Sequence, residues 1–360
     1  HYRFWFCLLR FESLWVNKGR SNPAFSFRKL YSPIFRYLRM TINRRTGLPL
    51  LVALVALNSC KWDKSVKVPD FDQTVAHAAV RSQVQFGPRV PGSDAHSRCK
   101  EWLVAEFKNN GATVTDQDFK AKTFDGKEFD AHNIIASYNI RARQRIIIAA
   151  HWDSRPFSDQ EQDTSLHHTP VSGADDGASG VGIILAVSNL LGKQPLEKIG
   201  VDLVLFDAED YGANNGEMET WCLGSQYWSK NPHVADYKAD YGILLDMVGG
   251  ANPSFNKEEY SLYFAPRVVE KVWKIAHGEG LDKVFVNVNG TGLVDDHIFV
   301  NRDARIPMID IINRPPGSKT GFVTHWHTQK DDMNAIDPNT LGAVGRVLTK
   351  LLYWEDKDKI

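Results

Sequence analysis

Arg145-Ile-Ile-Ile-Ala-Ala150 runs directly into His151-Trp152-Asp153-Ser154. A short apolar run cut off by a polar cluster reads as a strand buried on both faces, the kind found inside parallel sheets. Val201–Phe206 repeats the pattern and ends in Asp207-Ala208-Glu209-Asp210, and Tyr241–Asp246 repeats it again. Pro307–Ile312 reads as a fourth strand. Around them the spacing predicts helices. Residues 73–86 and 95–109 are amphipathic, Ala178–Leu191 opens with small residues, and Pro266–His277 and the strongly apolar Pro338–Trp354 follow. Strands alternating with helices imply an α/β fold, a three-layer α/β/α sandwich about a central mixed, mostly parallel twisted sheet.

In such sheets the ligand site lies beyond the carboxyl ends of the strands. That is where the polar clusters fall: His151 and Asp153, then Glu209 and Asp210, then Asp246. Gly173-Ala174-Asp175-Asp176-Gly177 adds a loop that opens a helix, and Thr324-His325-Trp326-His327-Thr328 precedes the closing helix. Taken singly, each has an ordinary reading. A strand-end histidine is usually a hydrogen-bonded surface residue, and Asp175 or Asp176 can cap the helix from Ala178. Together they place acids and histidines at one sheet edge, where they repel or lack solvation unless a cation joins them.

Composition narrows the chemistry. The 360 residues suffice for one large domain or two small ones, and Lys+Arg and Asp+Glu both number 43. A zero formal charge gives no basic face for nucleic acid. Four cysteines without a CxxC pair make neither a disulfide scaffold nor a cysteine zinc site. A metal here must be held by histidine and carboxylate, which suits a catalytic zinc. No linker or repeat interrupts residues 70–360, expected to be one catalytic domain.

The first part of the chain reads as an address. Met40-Thr-Ile-Asn-Arg-Arg begins a basic segment, Leu48-Pro-Leu-Leu-Val-Ala-Leu-Val-Ala-Leu57 is an apolar one, and Asn58-Ser59-Cys60 follows. The apolar segment is too short for a hydrocarbon core that needs about twenty residues. Cys60 after Leu-Asn-Ser resembles a bacterial lipobox. Residues 40–60 are therefore expected to be a lipoprotein signal with Cys60 lipidated, 61–69 a tether, and 1–39 a non-native or unstructured extension. The expected location is the periplasm, or membrane anchorage there, in a Gram-negative bacterium, with contact to the membrane only through the lipid.

His151-x-Asp153, Gly173-Ala-Asp-Asp176, Glu209-Asp210, Asp246 and His327 resemble, in order and over essentially all of residues 70–354, the zinc aminopeptidase-like clan of peptidase family M28. Within it, Val90-Pro-Gly-Ser93, Phe206-Asp-Ala-Glu-Asp210, Leu244-Leu-Asp-Met-Val-Gly-Gly-Ala-Asn-Pro253, Asp295-Asp-His-Ile298 and Trp326-His-Thr328 resemble glutaminyl cyclases. That resemblance implies one zinc ion per chain, held by Asp176, Asp210 and His327. Asp210 stands where the animal enzymes carry glutamate, which shifts the metal or the backbone slightly. It implies Glu209 as proton shuttle, Asp246 and Asp296 as acids of a hydrogen-bond network beside it, and Trp326 and Trp221 as walls of the substrate pocket. The implied substrates are peptides or proteins with N-terminal glutamine, converted to pyroglutamate with release of ammonia by a monomer. A shuttle must hold and release a proton near neutral pH, so a raised pKa is expected for Glu209, with Asp246 and Asp296 as the cause.

The residues leave alternatives open. His151, Asp176, Asp210, Asp246 and His327 are also a sufficient set for a two-zinc aminopeptidase, with His151 and Asp246 turned to a second metal and Glu209 activating water. A binding protein that has lost activity should lack ligands or the glutamate, and all are present. Cys99 and Cys222 can pair only if the fold brings them within bonding distance. Residues 155–171, with His167 and His168, are expected to form an exposed loop with surface histidines.

Overall fold

A computed structural model of the chain describes residues 66–214 and 216–360. The expected signal segment, Cys60 and most of the tether lie outside these residues. Among the described residues no helix is long and apolar enough to cross a membrane.

Six strands form the central sheet. In chain order they are β1 Thr113–Lys122, β2 Glu128–Tyr138, β3 Arg145–His151, β4 Gly200–Phe206, β5 Tyr241–Asp246 and, after a small two-stranded sheet of β6 Phe255–Lys257 and β7 Phe285–Asn289, β8 Met308–Ile312. Their order across the main sheet is β1-β2-β4-β3-β5-β8. The four strands expected from the apolar runs pair in parallel, and the β1–β2 hairpin adds two antiparallel strands at one edge. The sheet is mixed and mostly parallel, as expected.

The hairpin escaped the sequence reading. In β1, Thr113-Val-Thr-Asp-Gln-Asp-Phe-Lys-Ala-Lys122, only Phe119 and Ala121 are buried. Charges on an edge strand block pairing with other chains, and they also conceal the period-2 pattern.

Along β3, Ile146, Ile148 and Ala150 face one core and Ile147 and Ala149 the other. Burial on both faces is why the run is continuously apolar. The larger core is closed by the helices Gln73–Gln85, Asp94–Asn109, Ala178–Lys193, Pro266–Gly278 and Pro338–Asp356. The smaller is covered by Trp228 of the helix Leu223–Lys230 together with Val300 and Ile306.

The small residues that open the Ala178 helix let it lie directly on the strand ends. A Cβ at Gly180 would stand 2.5 Å from the Leu245 carbonyl oxygen and 2.8 Å from Ala150 Cβ, and one at Gly182 would stand 2.8 Å from the Ala76 carbonyl oxygen. The helix thus brings its own N-terminal loop, with Asp175 and Asp176, down to the sheet edge. We expect Gly180→Ala to cost about 1–3 kcal/mol through overpacking, read as a lower midpoint in thermal unfolding. Gly278→Ala, at an open helix end with nothing within 4 Å of the new Cβ, should cause no loss.

Candidate active site

The polar clusters converge at the carboxyl edge of the parallel strands. Three residues of the cluster's loops are left-handed without being glycine: Ala208 (φ 53°) before Glu209, Met247 (φ 45°) after Asp246, and His327 itself (φ 55°). Each costs of order 1–3 kcal/mol and persists because its surroundings determine it.

Asp176 lies at the centre of the cluster. Its Oδ1 is 3.0 Å from His151 Nε2, and its Oδ2 is 3.7 Å from His327 Nε2. His327 Nε2 also meets Asp210 Oδ1 at 3.1 Å, and His151 Nε2 meets Asp246 Oδ1 at 3.4 Å. Two sets of three therefore hold their ligand atoms within 4.8 Å of one another: Asp176, Asp210 and His327, and His151, Asp176 and Asp246. All five residues are buried. Both ring nitrogens of His151 and Oδ1 of Asp246 have no hydrogen bond of good geometry. Imidazole and carboxylate donors gathered in this way fit a zinc ion.

The supporting residues explain how the cluster is held. Asp153 accepts from the Glu209 and Asp210 amides, each at 3.1 Å, so one buried carboxylate positions both neighbours. Asp331 accepts from the amides of Asp175 (2.7 Å) and Asp176 (3.2 Å) and pins the loop to the segment after His327. His325 is occupied with Asp175 at 2.8 Å. Asp159 faces His327 Nδ1 at 3.2 Å, which leaves Nε2 to face Asp176 and Asp210. Although burial alone would raise it, the bonds from His327 and Arg155 hold the Asp159 carboxyl well below the usual range.

Asp159 and Arg155 fall in the stretch expected to be an exposed loop. Arg155, Pro156 and Ser158 are in fact buried, and exposure is confined to the later part, where His168 lies. His167 Nε2 is engaged by the Glu161 carbonyl at 2.9 Å. No sequence signal separates Asp159 from the other acids of that stretch.

Glu209 borders a cavity of about 240 Å³ with Asp246, Asp295, Trp221, Phe322 and Trp326. Trp326 stacks on His327 with ring centres 3.8 Å apart, and the Trp221 ring lies parallel to His327 at 6.3 Å. Trp221 therefore walls the cavity, while its indole nitrogen donates to the Ala213 carbonyl. Burial pushes the Glu209 carboxyl well above the ordinary value; a charged His151 opposes this, and Asp210, Asp295 and Asp296 add to it. The raised value was expected, but burial is its larger cause.

Of the two neighbouring acids, Asp295 borders the cavity and Asp296 is fully buried behind it, with both carboxylate oxygens lacking a hydrogen bond. Asp295 and Asp246 are each pushed up to about 7, first by burial, with repulsion from Asp246 adding for Asp295 and from Asp176 and Asp175 for Asp246. Cys222 is the other unforeseen neighbour. Its amide donates to the Glu209 carbonyl at 2.9 Å and its thiol to Glu209 Oε1 at 3.2 Å. Cys222 and Cys99 are both buried free thiols.

The profile of peptidase family M28 matches residues 133–352. The crystal structure of a glutaminyl cyclase from Bacteroides thetaiotaomicron bound to N-acetylhistamine is 48% identical, covers 80% of this chain and 99% of its own, and has a TM-score of 0.78. That of a Zn-dependent exopeptidase from Parabacteroides distasonis gives the same identity, coverage and TM-score. The glutaminyl-peptide cyclotransferase of Drosophila melanogaster is 26% identical over 275 residues, 69% of this chain and 72% of its own.

Removing the carboxylate that orients His327 should loosen the metal. We expect Asp159→Ala to weaken zinc binding by roughly 10–100-fold, measured by competition with a chromophoric chelator. Unchanged affinity would show that Asp159 does not orient the ligand.

Proposed function

From the premise that the chain belongs to peptidase family M28, we propose that it is a zinc-dependent glutaminyl-peptide cyclotransferase. It converts the N-terminal glutamine of peptides to pyroglutamate and releases ammonia. The observation that carries this reading is the close joining of three things. An imidazole–carboxylate set fit for zinc lies beside a buried glutamate, under two tryptophans, in a chain 48% identical to a glutaminyl cyclase.

One zinc per chain would be held by Asp176, Asp210 and His327. Bound there, it supplies Lewis acidity toward the carbonyl of the glutamine side chain. The chain's own residues do the rest. The cavity, at about 240 Å³, lies below the roughly 300–1,000 Å³ of drug-sized ligand sites and suits one curled side chain. Amine and amide belong to one glutamine, so attack is intramolecular, and Trp221, Trp326 and Phe322 exclude water and hold the α-amine near the amide carbon. Glu209 accepts a proton from the α-amine as the new C–N bond forms. It then gives the proton to the amide nitrogen as the old C–N bond breaks and ammonia departs. Cys222 holds one Glu209 oxygen and leaves the other for the substrate. Asp246 and Asp295 border the same space, and Asp295 together with Asp296 behind it would keep the shuttle's proton affinity high.

The set His151, Asp176 and Asp246 supports a second reading, a two-zinc aminopeptidase. Metal analysis together with product separates the two. One zinc per chain and ammonia from a glutaminyl dipeptide supports the cyclase; two zincs and a free amino acid support the hydrolase.

Glu209→Gln should lower kcat by about 10²–10⁴-fold while zinc content stays the same. Because only the carboxylate form accepts the amine proton and burial raises its pKa, wild-type kcat/KM should fall on the acid side at a pH well above 4.5. Undiminished ammonia release by the variant would sink the mechanism.

The Met40–Cys60 pattern supports export with a lipid on Cys60. In a Gram-negative host, Cys60→Ala should move the protein from the membrane pellet to the soluble fraction, and unchanged fractionation would refute the anchor.

A further inference from the structure

A second depression, of about 500 Å³, lies beside the catalytic cavity and shares Asn214 with it. Its borders include Phe124, Arg155, Phe157, His168 and Ala213. The wall between the two spaces is thin. Arg155 lies under Trp221, its guanidinium carbon 4.8 Å from the ring centre, and donates to the Asp210 carbonyl at 2.8 Å. Asp159 faces the groove on one side and His327 on the other.

The groove's charged side chains, Arg155 and Asp159, are already used. Arg155 Nε donates to Asp159 Oδ2 at 3.1 Å, and its Nη1 is spent on the carbonyls of Asp210 and Gly212. Asn214 Nδ2 donates to the same Asp159 oxygen at 2.6 Å. The rings are not used up. Phe124, Phe157 and Tyr211 form a three-ring cluster of edge and tilted contacts, with centres 6.4 Å apart for Phe124 and Phe157, 6.3 Å for Phe124 and Tyr211 and 5.7 Å for Phe157 and Tyr211, and Phe129 packs on Tyr211. Phe124 is the cluster's exposed member, at 47%, and borders the groove with Phe157. A cluster with one ring left exposed accepts a further ring in edge-to-face geometry.

We propose that this groove is a specificity subsite that takes an aromatic side chain at the second or third position of the peptide, after the glutamine. The proposal rests on the cyclase reading for the placement of the glutamine. An extended peptide advances about 3.3 Å per residue, so one or two residues beyond the cavity carry it across a wall one side chain thick. Arg155 is paired with Asp159, so an acidic side chain there meets no free guanidinium, only the imidazoles of His167 and His168.

The test compares Gln-Ala-Ala, Gln-Phe-Ala, Gln-Ala-Phe and Gln-Ala-Glu amides on the zinc-loaded enzyme. An aromatic residue at the second or third position should raise kcat/KM roughly tenfold through KM, the scale expected for partly burying one ring, and glutamate should not. Phe124→Ser, at an exposed turn, should remove the preference and leave Gln-Ala-Ala turnover unchanged; Phe157→Leu should reduce it. The absence of an aromatic preference, or one that survives both substitutions, overturns the proposal. Calorimetry with zinc-loaded Glu209→Gln protein reads the same ratio as Kd. Failure of turnover would therefore count against the cyclase reading, while the Kd ratio still decides the groove.

Discussion

Asp176 is shared between two histidines, and the site is organised around that sharing. Its two oxygens address His151 and His327, and three more acids, Asp210, Asp246 and Glu209, stand around it. Two carboxylates about 4 Å apart repel by about 4 kcal/mol at an effective dielectric constant of 20. Several such pairs would exceed the few kcal/mol by which a domain is stable. The arrangement is neutralised by a cation among the ligand atoms and by protons retained on some of the acids. The raised proton affinities of Glu209, Asp246 and Asp295 and the zinc-fit geometry of Asp176, Asp210 and His327 answer the same crowding.

The fold serves this crowding by backbone means. The helix from Ala178 approaches the sheet closely enough that Gly180 has no room for a Cβ, and Asp331 and Asp153 clamp the loops through amides rather than side chains. Buried carboxylates that accept two amide hydrogens hold loop geometry without adding another group to the cavity.

How much was legible depended on where each signal resides. The four inner strands announce themselves because burial on both faces demands an unbroken apolar run, and a site follows from the polar residues that end them. The β1–β2 hairpin does not, since an edge strand needs only Phe119 and Ala121 inside and carries charges elsewhere. Asp176, Asp210 and His327 are legible in the sequence as candidates beside His151 and Asp246, and only the family resemblance separates the two groups. Asp295 and Asp296 are adjacent acids, and only the direction of the turn at the start of the Asp296–Phe299 helix decides which faces the cavity. Asp159 and Cys222 act through contacts 168 and 13 residues away in the chain, and neither has a local pattern that marks it.

Asp159 also makes the metal centre and the outer surface parts of one balance. One of its oxygens faces His327 and the other binds Arg155 and Asn214, which border the outer groove. A side chain that settles against Arg155 alters the pull on Asp159, and so the ring that offers Nε2 to the metal. Occupancy of the surface and retention of the ion are then thermodynamically linked, and the linkage must be equal in both directions: a peptide that tightens the ion is itself held more tightly by the loaded protein than by the stripped one.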